Sequence, residues 1–397
     1  MKKLFAIVLA LAMALALVAC GEKKQEEAPA ADGGEAAAAK VVKIGVFEPQ
    51  SGDNGAGGKQ EILGMQYANQ ETPTVEIAGE TYTVELVYAD NQSSNDKAPS
   101  AAQTLVSSGV SIVLGSYGSG VSIAASDTFA DAGVPAVGVT CTNPNVTAGN
   151  SHYFRICFLD PFQGTVLANF AKANFSAEKA YCLAKQGDDY SVGLCNFFME
   201  AFGKDACVYE TFPEGTSDYS SYVSNAKAQG CDVFFAPVST EAAALIIDQA
   251  ATQALGMPIL AGDTWDSNVI TAAAQGTDVE IYVTTFYQEG GNAAFDDGIK
   301  AWINSDATAK ANNGGNDMIA AVSAMGYDAY YTALAALQAA GSTDPAAVLE
   351  VLPSVTYTGV TGNIEFDSTG DAIRSTAFVK VCNTATGAWD FVAEQGA

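Results

Sequence analysis

Histidine is almost absent from this chain, since His152 is the only one among 397 residues. A Ser-His-Asp hydrolase would have to use His152, but no Gly-x-Ser-x-Gly motif is followed by a later histidine. A metal site built on several histidines is excluded by the same count. The sequence therefore disfavours the two commonest kinds of histidine-based chemistry.

Basic residues are scarce as well. The chain has 18 Lys and Arg against 45 Asp and Glu, which gives a formal net charge of −27. Nucleic acid binding needs clustered basic side chains, so a nucleic acid partner is not expected. Apolar residues make up 49% of the sequence and charged residues 16%, as is typical of a globular protein.

Two motifs that would carry chemistry are missing or incomplete. No Cys-x-x-Cys pair occurs, so zinc-binding and thioredoxin-like functions lack support. Gly57-Gly58-Lys59 suggests a phosphate loop, but Asp53 replaces its first glycine and Gln60 replaces its Ser or Thr. No catalytic constellation, cofactor motif or metal set is recognisable, and we expect none of the three.

The N-terminus reads as an export signal. Met1-Lys2-Lys3 precedes an apolar run over residues 4–19, slightly short for a membrane span of roughly 20 residues. The run ends in Leu17-Val18-Ala19-Cys20, which resembles the lipobox of bacterial lipoproteins. The resemblance implies that residues 1–19 are removed and that Cys20 carries a lipid. Residues 20–40 are small and polar without apolar periodicity, and are predicted to be a flexible linker.

Seven further cysteines remain in the chain. They are Cys141, Cys157, Cys182, Cys195, Cys207, Cys231 and Cys382. Their odd number, and the apolar neighbours of Cys182 and Cys207, favour buried reduced thiols. Disulfides among some of them stay open, because exported proteins can form them.

Strand and helix patterns alternate along most of the chain. Residues 41–47 form an apolar run, 81–89 alternate with the period of a half-buried strand, and 98–108 have a helical pattern. Further predicted strands cover 110–114, 134–139, 179–184, 206–212, 231–238, 258–261 and 281–286, and another is predicted to start at Tyr153. A long helix is predicted within 317–340, followed by short strands at 363–366, 376–381 and 389–392.

This alternation predicts an α/β protein with parallel sheets and right-handed crossovers. Ten or more strands in one sheet would be unusual, so two sheets are expected. Ligands of such folds bind at the carboxyl ends of the strands.

Several stretches, in this order, resemble one family. They are Lys43-Ile44-Gly45-Val46 with Ser51-Gly52, Tyr153-Phe154-Arg155 with Asp160 and Gln163-Gly164, Asp218-Tyr219-Ser220, Gly230-Cys231-Asp232-Val233-Phe234-Phe235, and Gly326-Tyr327-Asp328-Ala329. The family is that of the extracytoplasmic solute-binding proteins of ABC importers, in the branch that binds leucine, isoleucine and valine. The joint order of these stretches, rather than any one of them, carries the resemblance.

The resemblance implies a type I periplasmic-binding-protein fold, with two doubly wound parallel-sheet lobes joined by three hinge crossings. The crossings are expected near residues 157–160, 285–288 and 359–367. Lobe 1 would comprise residues 41–157 plus 288–358, and lobe 2 residues 158–287 plus 359–397. Such proteins close around ligand by hinge motion.

Ser119 is the first candidate ligand-binding residue. Tyr117-Gly118-Ser119 precedes a predicted helix, whose free N–H groups and positive dipole end suit an anion. The resemblance implies that Ser119 binds the ligand α-carboxylate, with Tyr117 and Gly118 beside it. The alternative is that Ser119 only caps its helix.

Three further residues are implied to bind the ligand ammonium. Thr140 and Thr142 follow a predicted strand at the matching loop, and Asp263 follows the strand at 258–261. The alternatives are an ordinary turn before Pro144 and a solvated Asp263. Tyr190 matches an aromatic residue that closes over the ligand. Donors for a carboxylate and acceptors for an ammonium together predict an α-amino acid ligand.

The residues that would contact the ligand side chain are less distinctive. Gly57 stands where relatives often have a tyrosine, which predicts a larger or differently shaped pocket. Tyr117, Trp265 and Phe286 are plausible walls, or else ordinary core residues. Branched-chain and other neutral amino acids therefore both remain candidates.

The resulting hypothesis is a monomeric, lipid-anchored, extracytoplasmic binding protein that delivers an amino acid to an ABC permease. The alternatives are a sensor or regulator of the same fold, a binder of another small solute, and an exported enzyme. A neighbouring permease and ATPase gene pair would favour transport over sensing, and turnover of a bound ligand would indicate an enzyme.

Overall fold

The computed structural model describes residues 40–396. The predicted export signal, Cys20 with its predicted lipid, and nearly all of the predicted linker lie outside these residues. Residues 40–396 belong to one compact unit.

Fifteen strands occur between residues 40 and 396. They are β1 (Lys40–Glu48), β2 (Thr74–Ile77), β3 (Glu80–Asp90), β4 (Ile112–Leu114), β5 (Ala136–Gly138), β6 (Tyr153–Arg155), β7 (Ala180–Lys185), β8 (Cys207–Phe212), β9 (Val233–Phe235), β10 (Ile259–Ala261), β11 (Ile281–Thr285), β12 (Tyr357–Gly359), β13 (Gly362–Ile364), β14 (Ala377–Asn383) and β15 (Ala388–Gln395).

Twelve α-helices occur in the same range. They are α1 (Gly55–Glu71), α2 (Ala98–Ser107), α3 (Ser119–Asp131), α4 (Asp160–Phe175), α5 (Asp189–Phe202), α6 (Ser220–Ala228), α7 (Thr240–Thr252), α8 (Asn268–Ala274), α9 (Ala293–Ser305), α10 (Ala307–Asn312), α11 (Ala321–Ala340) and α12 (Pro345–Val351). Short 3₁₀ turns cover Pro144–Val146, Lys204–Ala206, Asp263–Trp265 and Leu352–Ser354.

The first sheet has the strand order β2-β3-β1-β4-β5-β6, and all of its pairs are parallel except β2 with β3. Successive residues of β1 face opposite sides of the sheet. Ile44 and Val46 belong to a buried cluster with Met325 of α11, whereas Phe47 belongs to a cluster with Leu105 of α2. Helices therefore cover both faces of this sheet.

The second sheet has the order β15-β14-β11-β10-β9-β7-β8, with β14 and β15 antiparallel at one edge. Tyr181 and Leu183 of β7 face a cluster that includes Ile246 of α7, and the intervening Cys182 faces one that includes Leu194 of α5. This sheet too is covered on both faces, so the prediction of an α/β protein with two sheets is confirmed.

The chain passes between the two sheets more than once. Strands β1–β6 belong to the first sheet and β7–β11 to the second. The chain then returns through α11, which packs along α1, and re-enters the second sheet at β14. A separate two-stranded ladder, β12 with β13, lies on this last passage.

The sequence missed β2 and β12, and did not predict the antiparallel edges. Strand β2 has only four residues and pairs with β3 through a two-residue turn at Ala78 and Gly79, both at positive φ. Two positive φ values give the turn twist that suits a tight hairpin. Ala78 is an unusual residue for this conformation, so the sequence contained no strong hairpin signal.

Candidate functional site

Loops that follow parallel strands of the two sheets meet at a cleft. The Tyr117 hydroxyl, after β4, donates to the carbonyl of Thr264, after β10, at 3.0 Å. The Asn143 side-chain amide, after β5, donates to the carbonyl of Asp189, at the start of α5, at 2.7 Å. The carboxyl ends of the strands thus form the predicted crevice.

A cavity opens between these loops. Its walls include Tyr117, Gly118, Ser119, Tyr190 and Thr264. Asp53 and Lys185 also line it, and their side chains form an ion pair of 2.7 Å. Four of the predicted site residues therefore share one cavity, whereas Thr140, Thr142, Asp263 and Trp265 are not part of its lining.

Ser119 is the first residue of α3 and is buried. Gly118 holds the N-cap position, and no side chain caps the helix. The Ser119 hydroxyl instead accepts a hydrogen bond from the backbone N–H of Asn143 at 3.2 Å. The first N–H groups of a helix have no partner within it, so Ser119 and its neighbours present donors at the cavity wall.

Thr140 and Thr142 are buried behind this wall. The Thr140 hydroxyl donates to the Glu61 carboxylate at 2.5 Å. The Thr142 hydroxyl lies 3.5 Å from the side-chain nitrogen of Gln163, and the Thr142 carbonyl accepts from the Asp160 N–H at 3.0 Å. Both threonines therefore contact acidic or amide groups of the protein.

Asp263 is buried at the end of the loop after β10. One carboxylate oxygen accepts from the Tyr190 hydroxyl at 2.9 Å and from the Gln163 amide at 3.0 Å. The other oxygen has no hydrogen-bond partner among residues 40–396. Burial raises the pKa of Asp263 to about 6. A desolvated carboxylate of this kind is stabilised by a cation.

Three more buried carboxyl groups belong to this region and were not predicted as functional. They are Glu48, Glu61 and Asp160, and each has one oxygen without a hydrogen-bond partner in the described part of the chain. Burial raises the pKa values of Glu61 and Asp160 to about 7, and raises that of Glu48 as well. The site therefore contains more buried carboxyl groups than the sequence indicated.

A signal for Glu61 was present in the sequence. Residues four and seven positions apart lie on one face of a helix, and Glu61 shares that spacing with the buried Met65 and Ala68. A glutamate on the apolar face of a predicted helix is a candidate for a buried functional group.

Of the two alternatives predicted from Gly57, the larger pocket needs a correction, and the differently shaped pocket stays a prediction. A Cβ atom at Gly57 would lie 2.4 Å from the ring of Tyr117, so the Tyr117 side chain occupies the space next to this glycine. The absence of a side chain at position 57 of α1 therefore does not enlarge the pocket, because the Tyr117 side chain, from the loop after β4, fills the space beside it.

The other two predicted walls lie in the cores. Trp265 is fully buried in a cluster of the second sheet, and its indole N–H donates to the carbonyl of Val238 at 2.9 Å. Phe286 packs against Phe158 with ring centroids 4.1 Å apart. Neither side chain borders the cavity between the loops.

Two doubly wound sheets, with a polar cavity between their facing loops, define the class of α/β solute-binding proteins. The chain belongs to the family of periplasmic binding proteins, whose model matches residues 41–386. Its fold is accordingly the type I periplasmic-binding-protein fold, as the resemblance implied. Among residues 40–396, no helix has both the length and the apolar character needed to cross a membrane.

Named relatives agree with this assignment. A Leu/Ile/Val-binding protein homolog of Brucella abortus is 30% identical over 339 residues, which cover 83% of this chain and 87% of that protein. A leucine-binding protein of Thermotoga maritima superposes with a TM-score of 0.77 at 33% identity, covering 90% of this chain and 99% of that one. A branched-chain amino acid transporter substrate-binding protein of Streptococcus pneumoniae, solved with isoleucine, has a TM-score of 0.77 at 26% identity and the same coverage.

Proposed function

We propose that this protein captures a small neutral L-amino acid, branched-chain or of similar size, and delivers it to an ABC permease outside the cytoplasm. It acts as a binding protein and not as an enzyme. The ligand class is supported by the named relatives, which include leucine- and isoleucine-binding proteins. Tyr117 limits the cavity beside Gly57, which favours a small ligand side chain.

The observation that carries the proposal is a cavity with N–H donors in one wall and a buried acid behind another wall, at Tyr190. The N-terminus of α3 supplies N–H donors at Ser119, which suit a carboxylate. Tyr190 lines the same cavity and donates to the buried Asp263, whose second oxygen has no partner among residues 40–396. The carboxylate of an α-amino acid suits the N–H donors at Ser119, and its ammonium suits the carboxylate of Asp263.

Capture would occur between two lobes, residues 41–157 plus 288–358 and residues 158–287 plus 359–397. This division is supported by the two sheets, which lie in different parts of the proposed ranges. The Tyr117–Thr264 hydrogen bond and the Asp53–Lys185 ion pair would join the lobes when they close. Opening by a hinge would break both contacts.

The protein would remain at the membrane through a lipid on Cys20 and would act as a monomer. The lipobox-like residues 17–20 support the anchor. Cys20→Ser should release the protein from the membrane fraction, and light scattering should give the mass of one chain. Membrane retention of Cys20→Ser would contradict the anchor.

A ligand screen tests the central proposal. Residues 39–397, unfolded and refolded to remove bound ligand, are heated with each L-amino acid, its amide and its α-hydroxy analogue. A ligand at 100 times its dissociation constant adds about 2.7 kcal/mol of stability, which raises the unfolding midpoint by a few degrees. We expect a shift with neutral amino acids that is lost with the analogues. No shift with any amino acid would refute the proposal.

A further inference from the structure

Glu61 is a buried anion-forming group without a cationic partner in the described part of the chain. It lies on α1, and one of its oxygens accepts the Thr140 hydroxyl at 2.5 Å. Its other oxygen receives no hydrogen bond from an N–H or hydroxyl group among residues 40–396, and no Lys or Arg in this range forms an ion pair with it. Burying a charge in this way is costly unless a cation accompanies it.

Arg155, a buried basic side chain of the first sheet, has other partners. Arg155 donates to the carboxylate of Asp371 at 2.5 Å, and to the carbonyls of Cys141 at 2.9 Å and Asn143 at 2.6 Å. Its guanidinium therefore stabilises the loop after β5. Neutralisation of Glu61 by this arginine is not supported by any contact.

Glu48 is the protein group that adjoins Glu61. One Glu48 oxygen accepts the backbone N–H of Tyr117 at 2.6 Å. Burial raises the pKa of Glu48 well above its usual value, and the neighbouring Glu61 adds to this effect. Burial also raises the pKa of Glu61, but only to about 7. The two carboxyl groups hydrogen-bond to each other and do not both ionise readily, so the pair shares one proton and carries one negative charge.

The start of α1 lies against the segment that follows Asp263. Gln60, adjacent to Glu61, accepts from the Ser267 hydroxyl at 2.9 Å and donates to the Asn268 side chain at 2.8 Å. Asp263 also contributes to raising the pKa of Glu61. Two buried carboxylates on opposite sides of the cleft therefore repel each other, and a cation between them would reverse that repulsion.

We propose that Glu61 is a second carboxylate of the ammonium site, and that Glu61 and Asp263 bind the ligand ammonium from opposite sides of the cleft. The inference rests on the proposed amino acid function and adds a binding residue to it. Thr140 then orients Glu61 through its hydroxyl instead of accepting the ammonium itself. The site selects a ligand with a primary ammonium group over an otherwise identical ligand with a hydroxyl.

The test compares an amine ligand with its hydroxyl analogue. Calorimetric affinities are measured for L-leucine, L-isoleucine and L-valine, and for the three matching α-hydroxy acids. Residues 39–397 carry either no substitution, Glu61→Gln, or the control Glu71→Gln, which neutralises an exposed glutamate at the far end of the same helix. The unfolding midpoint of each variant is recorded.

We expect the unsubstituted protein to prefer the amino acid. Glu61→Gln should lower amino acid affinity at least tenfold and leave the hydroxy acid nearly unchanged, whereas Glu71→Gln should change neither. An unaltered preference for the amine in Glu61→Gln would overturn the inference while leaving the proposed function intact. No binding of any of these amino acids by the unsubstituted protein would overturn both.

A second variant keeps the inference testable if Glu61→Gln fails to fold. Glu61→Asp keeps the charge and withdraws it by one methylene group, so the preference for the amine should fall several-fold. A preference equal to that of the unsubstituted protein would overturn the inference on its own.

Discussion

At the scale of single residues, burial decides which carboxylates of this acidic chain can act. Asp263 keeps one oxygen free of protein partners within residues 40–396 while the other accepts from Tyr190 and Gln163. We predict that Asp263→Asn lowers amino acid affinity at least tenfold, because the amide cannot balance an ammonium charge. Calorimetric titration measures this directly.

The control for this variant is Asp278→Asn, which removes one exposed charge at a distance from the cavity between the loops. Its affinity should match that of the unsubstituted protein. Equal affinities for Asp263→Asn and Asp278→Asn would remove Asp263 from the ammonium site.

The cysteines give a second prediction at this scale. All seven cysteines between residues 40 and 396 are free thiols, in agreement with the expectation of reduced thiols, and six of them are buried. Cys207 is partly exposed, and a hydrogen bond with Cys182 lowers its pKa. For residues 39–397 we predict one rapidly reacting thiol in the native state and seven after unfolding, measured with a chromogenic disulfide reagent.

Cys207→Ser should abolish the rapid reaction without altering the slow one. If the fast phase persists in this variant, the reactive thiol is another cysteine.

Sequence patterns identified some site residues and not others for a physical reason. Ser119 stands between a predicted strand and a predicted helix, so the predicted topology indicated its place, whereas Tyr190 was implied by the family resemblance. Glu61 lies on the apolar face of α1, a signal that the prediction did not use, whereas Glu48 lies inside β1, where only its burial distinguishes it from a solvated glutamate. Burial depends on contacts between distant segments, which one sequence does not reveal.

At the scale of elements, the contact between α1 and α11 depends on two glycines. A Cβ atom at Gly64 would lie 1.8 Å from the carbonyl oxygen of Ser323, and one at Gly326 would lie 2.1 Å from the carbonyl oxygen of Glu61. We predict that Gly64→Ala lowers the free energy of unfolding by about 1–3 kcal/mol, because the helices must separate. Urea denaturation measures the change.

Gly55→Ala, at the first residue of the same helix, is the matched comparison. Its nearest atoms lie 3.3 Å away, so a methyl group nearly fits. This change should leave stability within about 1 kcal/mol. Similar losses in the two variants would show that helix contact is not the cause.

Elements with strong periodicity were predicted well. The apolar run at 41–47 became β1, the alternation at 81–89 became β3, and the long helix became α11. The antiparallel edges were not predicted, because strand direction depends on the path of the connection. The chain enters β14 after its passage along α11, α12 and the β12–β13 ladder, and no local pattern encodes the direction of that entry.

At the scale of the whole molecule, the buried acids predict how stability depends on pH. Burial raises the pKa of Asp263 to about 6, and those of Glu61 and Asp160 to about 7. The native state therefore keeps protons that the unfolded chain releases at lower pH, so stability falls as pH rises from about 4 to 7. For each such group, a folded-state pKa higher by one than the unfolded-state pKa lowers stability at neutral pH by about 1.4 kcal/mol.

Thermal unfolding without ligand should therefore give its highest midpoint near pH 4–5 and a lower one at pH 7. Below this range, carboxylates with lowered pKa values, such as Asp90 and Asp367, become protonated and stability falls again. Asp160→Asn should flatten the decline between pH 5 and 7. A midpoint that rises from pH 5 to 7 would contradict the assignment of raised pKa values.

The close fit of Tyr117 over Gly57 constrains the order in which this site can evolve. A side chain at position 57 collides with the Tyr117 ring, so a bulky substitution there is deleterious while the tyrosine remains. Tyr117→Ala or Tyr117→Gly alone removes the ring that occupies the space beside Gly57 and the hydrogen bond to Thr264. Either change then makes room for a bulky side chain at position 57. Exchange of the aromatic residue between position 117 and position 57 of α1 must then pass through the loss at position 117 first, a case of sign epistasis within one binding pocket.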